Sequence, residues 1–135
     1  MEEVTIIGID LAKNVFQLHG AAADGRPVFR KKLTRLQFQR FMAAQPPRTV
    51  AMEACPGSHY WAREMAELGH TVKVISPQYV TPYVKRQKND AADAEAIAEA
   101  ATRPHMRFVE PKSAEQQARA VVFRVRQKVI AQRIE

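Results

Sequence analysis

The sequence predicts an α/β fold in which a mixed β-sheet carries helices on its faces and a long helix follows at the C-terminal end. Three predicted strands joined by short turns indicate an antiparallel meander at the N-terminus. The alternation of helical and strand-like segments after it favours parallel pairing with the helices as crossovers. The 135 residues suffice for one domain with a hydrophobic core.

The first half of the chain holds the meander, one helix and a fourth strand. Its strands are predicted over residues 4–10, 14–20, 27–33 and 48–53. Asp24-Gly25 is typical of a hairpin turn. Thr34 suits the N-cap of a helix that Pro46-Pro47 ends. The inward face of that helix is predicted to comprise Leu36, Phe38, Phe41 and Met42.

The second half alternates helices and strands. A helix is predicted over 59–68, closed by Gly69, and a strand over 71–75. A helical turn within 76–84 and a helix over 90–102 follow. A last helix is predicted over 113–135 without Gly, Asn or Pro to close it, so we expect the chain to be a fragment cut within a helix. Ala118, Val122, Val125 and Val129 are predicted to lie on one face of this helix. The predicted organisation is a domain over 1–111 and the start of a helical linker over 112–135.

Charge and composition restrict the class of protein. There are 21 Lys and Arg against 14 Asp and Glu, a net charge of +7, which favours a polyanionic partner without requiring one. A single cysteine, Cys55, excludes an internal disulfide, and the scattered histidines lack zinc-site spacing. The absence of a membrane-length apolar run and of a signal peptide predicts a cytoplasmic protein without membrane contact.

Four carboxylates stand out because they lie at the ends of apolar elements: Asp10, Glu53, Asp90 and Asp93. Asp10 and Glu53 end predicted strands, and they are neighbours if the first and fourth strands pair. Asp90 and Asp93 lie three residues apart on one helix face. Carboxylates within ~4 Å repel by roughly 1–4 kcal/mol per pair, so such a cluster calls for cations or raised pKa values. Mg²⁺ or Mn²⁺ suits these oxygens, and two such ions support phosphodiester chemistry.

Each carboxylate also has an ordinary structural explanation. Asp10 suits a turn at a strand end, and Glu53 a solvated strand end. Asp90 and Asp93 suit an N-terminal cap, for which Asn89 is an alternative. It is the combination of all four in a basic chain that favours a metal site.

Basic residues lie directly before the helix that carries two of these acids. Lys85, Arg86 and Lys88 precede Asp90, so phosphate contacts are predicted beside the metals. Tyr79 and Tyr83 are interleaved nearby; stacking on bases and ordinary packing are the two interpretations.

Three segments of the chain carry a family resemblance. They are residues 7–13 (IGIDLAK), 52–55 (MEAC) and 83–97 (YVKRQKNDAADAEAI), and residues 101–104 to 116–117 extend the match over essentially the whole chain. These segments closely resemble the DEDD transposases, insertion-sequence recombinases related to the Piv invertase. The resemblance implies a RuvC-like, ribonuclease-H-type domain. It also carries over Asp10, Glu53, Asp90 and Asp93 as catalytic metal ligands.

The resemblance further implies how such a protein works. Family members act on DNA, are guided by a structured bridge RNA, and assemble as dimers or tetramers. They also contain a C-terminal domain with a serine nucleophile that this chain lacks. The chain by itself is therefore not expected to complete recombination.

Two other functions remain open from the residues. One is a module that binds guide RNA or DNA and assembles the oligomer without catalysis of its own. The other is a phosphotransferase or ATPase of the actin and sugar-kinase type, which also begins with a Gly-Ile-Asp strand. In this chain, however, Leu11-Ala12-Lys13 stands where those proteins usually carry a glycine-containing phosphate turn.

Overall fold

A computed structural model of the chain describes residues 3–12, 14–84 and 90–134, without the side chains of 90, 91 and 132–134. The strands are β1 (Ile6–Leu11), β2 (Val15–Ala21), β3 (Pro27–Thr34), β4 (Thr49–Glu53), β5 (Thr71–Ile75) and β6 (Phe108–Val109). The helices are α1 (Arg35–Ala44), α2 (Ser58–Glu67), α3 (Pro77–Val80), α4 (Asp90–Ala101) and α5 (Ala114–Ile134), and a 3-10 turn spans Thr81–Tyr83.

The strands form one mixed six-stranded sheet in the order β3-β2-β1-β4-β5-β6. The pairs β1–β2, β2–β3 and β5–β6 are antiparallel, whereas β1–β4 and β4–β5 are parallel. The predicted meander and mixed sheet are therefore confirmed, and the first and fourth strands pair, which is the condition under which Asp10 and Glu53 are neighbours. The two-residue strand β6 was not predicted, because so short a segment between Pro104 and Pro111 has no detectable alternation.

Helices cover both faces of the sheet. Helices α1 and α2 cover one face, where Phe16, Phe38 and Trp61 form a cluster of edge-to-face rings with centroids 4.9–5.2 Å apart. Helix α4 covers the other face. Because successive strand residues point to opposite faces, Ile7 and Ile9 enter the aromatic core while Gly8 points at α4.

Contact between β1 and α4 depends on the absence of a side chain at Gly8. A Cβ atom there would lie 2.7 Å from the Ala98 backbone nitrogen and 2.8 Å from the Ala98 Cβ. The alanine-rich sequence of α4 serves the same close approach, since Ala94, Ala98 and Ala101 are all buried. In the Gly-Ile-Asp sequence of β1, Gly8 therefore allows the contact with α4, and Asp10 provides a carboxylate near the end of the strand.

The predicted start of α1 is confirmed, but the prediction that Leu36 faces inward is wrong. Thr34 Oγ1 accepts a hydrogen bond from the Gln37 N–H at 3.3 Å, and Gln37 Oε1 accepts one from the Thr34 N–H at 3.0 Å. Phe38 and Met42 are buried one turn apart, whereas Leu36 is 55% exposed. Two residues before Phe38, Leu36 lies near the opposite side of the helix.

Helix α5 confirms the predicted terminal helix, and the valines of its apolar face are exposed. Val122, Val125 and Val129 are 58%, 56% and 46% exposed. Near its start, Gln117 Nε2 donates to the Pro56 carbonyl at 3.4 Å, and His59 Nδ1 accepts from the Lys112 N–H at 3.0 Å. These contacts join the segment leading into α5 to the start of α2. Within the described residues, none of the helices has the length and apolar character needed to traverse a bilayer.

Candidate metal centre

Asp10 and Glu53 lie side by side at one edge of the sheet. Ile9 pairs with Met52 across the parallel strands β1 and β4, and Asp10 and Glu53 are the next residue on each. Asp10 shares a face with Gly8, and Glu53 shares one with Ala51, so both point to the side that α4 covers. Both side chains are half-buried.

Helix α4 runs antiparallel to β1 and brings its N-terminal end to the same edge. Residues Thr5 and Ile6, before and at the start of β1, share a cavity with Ala98 of α4 and with Thr102, the residue that follows α4. Further along β1, Gly8 lies under Ala94 and Ala98. The first turn of α4 therefore lies over the ends of β1 and β4.

The pKa of Glu53 is raised by burial and by the proximity of α4. Burial raises it above its ordinary value of 4.5, and the negative charge of Asp93 raises it further. Asp93 is half-buried in the first turn of α4. A carboxylate whose ionised form is disfavoured by desolvation and by a second carboxylate is a suitable ligand for a divalent cation, which removes both costs.

The four predicted ligands are thus placed to different extents. The structure brings Asp10, Glu53 and Asp93 to one edge of the sheet. Asp90 is the first residue of α4, but its side chain lies outside the described residues. The predicted phosphate contacts Lys85, Arg86 and Lys88 also lie outside the described residues.

The donor set fits a hard cation that retains water. Among the side chains that the structure describes, no three Asp, Glu, His or Cys residues form a ready cage for an ion. Mg²⁺ does not require one, because it usually binds through one or two carboxylates, several waters and substrate phosphates. Asp10, Glu53, Asp90 and Asp93 would hold it, with Glu53 and Asp93 as the pair whose repulsion it would neutralise.

Two polar residues beside this edge were not identified from the sequence. Gln17 on β2 pairs with Asp10, and Lys32 on β3 pairs with Gln17. Residues paired across neighbouring strands project to the same face, so both lie on the side of the carboxylates. The Asp24-Gly25 turn alone does not give this pairing, because a register shift between Gly20 and Ala21 places Lys32, rather than Lys31, opposite Gln17.

Comparison with known proteins decides the family. A sequence profile described as "Transposase" (DEDD_Tnp_IS110) matches residues 7–135. The chain belongs to the DEDD transposase family. The predicted resemblance is confirmed over nearly its whole length.

Curated transposases are similar along the same span. The chain is 51% identical over 133 residues to a putative transposase, y4pF/y4sB, of Sinorhizobium fredii, covering 98% of this chain and 34% of that protein. It is 57% identical over 127 residues to a probable family 20 transposase of Pseudomonas aeruginosa, covering 94% and 38%. It is 49% identical over 134 residues to the IS1328 transposase of Yersinia enterocolitica, covering 99% and 40%. The chain therefore spans less than half the length of these relatives.

Solved structures of RuvC share the fold. Thermus thermophilus RuvC superposes with a TM-score of 0.56 at 15% identity, covering 77% of this chain and 99% of that one. The same protein in complex with a Holliday junction substrate gives a TM-score of 0.52 at 14% identity, covering 73% and 92%. The predicted ribonuclease-H-like, RuvC-like fold is confirmed.

Proposed function

We propose that this chain supplies the metal-binding part of the active site of a DNA transposase. Asp10, Glu53, Asp90 and Asp93 bind one or two Mg²⁺ or Mn²⁺ ions there and act as the catalytic carboxylates. The observation that carries the proposal is the approach of Asp93 to Glu53 at the sheet edge where β1 places Asp10; burial, and then the charge of Asp93, raise the pKa of Glu53 there.

The chemistry is phosphodiester cleavage and strand transfer. Bound divalent ions supply activation of the attacking oxygen and stabilisation of the leaving oxygen. The chain's own residues would hold these ions in place: Asp10 and Glu53 lie at the ends of neighbouring strands, and α4 brings Asp93 close to Glu53. Lys85, Arg86 and Lys88 would contact DNA phosphates next to this edge.

The partners follow from the family and the fold. DNA is the proposed substrate, supported by the RuvC fold, of which one solved example is in complex with a Holliday junction, and by the net charge of +7. A structured guide RNA and assembly of the complete protein into a dimer or tetramer are proposed from the family resemblance, as is a cytoplasmic location. In this proposal residues 1–111 form the RuvC-like domain, and 112–135 lead towards a further domain needed for recombination.

The test compares two chemically identical substitutions in the complete transposase that carries this chain. Asp10→Asn removes a proposed ligand, whereas Asp24→Asn changes an exposed aspartate in the β2–β3 turn that pairs with Arg26. We expect Asp10→Asn to reduce Mg²⁺-dependent strand cleavage by more than about 100-fold, since even outer-shell changes at metal sites cost 10- to 100-fold. Asp24→Asn should cleave like the parent.

The binding-module function gives the opposite result. In that case Asp10→Asn would retain both nucleic-acid binding and strand cleavage, and the proposal would be wrong. Loss of cleavage with retained DNA binding and unchanged folding supports the proposed function.

A further inference from the structure

A row of three polar residues crosses the sheet from the carboxylate edge to its outer strand. The register places Asp10 of β1 beside Gln17 of β2, and Gln17 beside Lys32 of β3. All three project to the face that carries α4, since cross-strand partners share a face. We call Asp10, Gln17 and Lys32 the polar row.

The polar row leads away from the proposed metals to open solvent. Neighbouring strands are about 4.8 Å apart, so the Lys32 backbone lies about 10 Å from that of Asp10. Gln17 is half-buried, and Lys32 is exposed on β3, the edge strand of the sheet. A chain lying across this face meets the carboxylates first, then an amide, then an ammonium group.

The neighbouring cations of β3 are already engaged within the protein. Arg30, on the same face as Lys32, pairs with Glu95 of α4 at 3.4 Å. Lys31 points to the opposite face, with its Nζ 5.9 Å from the ring centroid of Phe29 and 5.2 Å from that of Phe41. Among the described residues no carboxylate forms a salt bridge with Lys32. Lys32 is therefore available for an anion from outside.

We propose that the polar row guides the DNA strand that is cleaved. Lys32 binds a backbone phosphate near the scissile one, and Gln17 donates its amide hydrogens to the backbone between that phosphate and the carboxylates. The inference rests on the proposed function, because it takes the scissile phosphate to lie at Asp10, Glu53 and Asp93. A nucleic-acid strand is the partner that matches this order of charges, since it presents phosphates in series both to metals and to an ammonium group.

Substitution of adjacent lysines tests the proposal with a matched control. Lys32→Gln and Lys31→Gln remove the same charge from neighbouring positions on opposite faces of β3. Binding of a fluorescent synthetic four-way DNA junction would be measured by anisotropy over a range of salt concentrations, with Ca²⁺ present. We expect Lys32→Gln to weaken binding about 3- to 10-fold and to reduce the slope of log K against log salt by about 1. Lys31→Gln should change neither.

Neutral methylphosphonates then locate the contact. They replace single phosphates in turn along one junction strand, for the parent and for Lys32→Gln. We expect one phosphate whose neutralisation removes the difference between the two proteins, as a direct contact requires. Four results would each overturn the proposal that the polar row guides DNA. They are equal effects of the two lysine substitutions, an unchanged salt slope in Lys32→Gln, the absence of such a phosphate, and the absence of junction binding by the parent.

The two proposals fail in distinguishable ways. If Asp10→Asn abolishes Mg²⁺-dependent cleavage while Lys32→Gln leaves the salt slope intact, the guiding role of the polar row is wrong and the metal site stands. If Asp10→Asn leaves cleavage intact, the proposed function itself fails. Loss of RNA binding alone in Lys32→Gln would also contradict the guiding role of the polar row, since it would assign the lysine to a different strand.

Discussion

Glu53 and Asp93 repel each other across the junction between the sheet and α4, and the pKa of Glu53 is raised as a result of burial and of this repulsion. The two residues come from elements far apart in sequence, β4 and α4. Capping of α4 by its own acids does not require Glu53 of β4 to lie close to Asp93. The arrangement is instead understandable if a cation occupies the site during function.

Replacing Glu53 by glutamine should stabilise the metal-free protein at neutral pH. Because the folded pKa is raised above 4.5, the folded state binds more protons than the unfolded state, and stability falls as pH rises from about 4.5 through the folded value. Glu53→Gln removes that loss, so we expect a gain of roughly 0.2–1 kcal/mol near pH 7, the range for a partly exposed charge interaction. Urea unfolding of the parent and of Glu53→Gln, near pH 7 and below pH 4.5, measures this difference in stability.

The control for this prediction is Glu110→Gln, which changes an exposed glutamate after β6. Its stability should follow that of the parent at both pH values. A lower stability of Glu53→Gln at neutral pH, without metal, would show that the ionised carboxylate is held by favourable partners rather than by a repulsive pair.

Adding a methyl group at Gly8 should displace α4. The new Cβ would meet backbone atoms of Ala94 and Ala98, which have no rotamer with which to move aside. We expect Gly8→Ala to lower the free energy of unfolding by about 1–3 kcal/mol, the usual cost of overpacking. We also expect weaker metal binding, because α4 carries Asp93.

Gly57→Ala is the matched control for Gly8→Ala. A Cβ at Gly57 meets no atom within 4 Å, and its φ of −78° suits alanine. Its stability should lie within about 0.5 kcal/mol of the parent. Similar unfolding curves for Gly8→Ala and the parent would show that the contact between β1 and α4 is looser than described.

Acid should weaken the contact between α2 and the segment before α5. Burial lowers the pKa of His59 below its ordinary 6.5, and the positive charges of Lys112 and Arg63 lower it further. The unfolded state therefore binds the proton more readily, and stability is lost as pH falls below 6.5. His59→Asn keeps a side-chain acceptor but does not titrate in this range, so its stability should decline less between about pH 7 and about pH 5.5.

Urea unfolding of parent and His59→Asn at several pH values measures this difference, and other titrating groups cancel between the two proteins. We expect the stability of the parent relative to the variant to fall with acidification. A constant difference across that range would contradict a role for neutral His59 in accepting the Lys112 N–H.

The sequence predicted the sheet and its site edge because these features follow local rules. Alternation, the Asp24-Gly25 turn and the Thr34 cap defined most elements. The strand-end positions of Asp10 and Glu53 could be read from the sequence, and the β1–β4 pairing makes them neighbours. The position of Asp93 above Glu53 depends on the packing of α4 on Gly8, which no local pattern reports. The same limit explains Lys32, whose role depends on a register that spans three strands.

Leu36 was predicted to face inward and is exposed. Helical spacing identifies a helix face without showing whether another surface covers it, as the exposed valines of α5 also illustrate. Leu36 faces solvent because Phe38 and Met42 already turn α1 towards the core.

In the proposed function, Asp10 and its neighbouring carboxylates bind a divalent metal ion. The most direct test is thermal unfolding of the native chain, Asp10→Asn and Asp24→Asn over a range of Mg²⁺ concentrations. We predict a saturable stabilisation of the native chain and of Asp24→Asn, about 2.7 kcal/mol at 100 times the dissociation constant, which corresponds to several degrees in Tm. Asp10→Asn should lose it. The same response to Mg²⁺ in all three proteins, or no response in any, would contradict metal binding at Asp10.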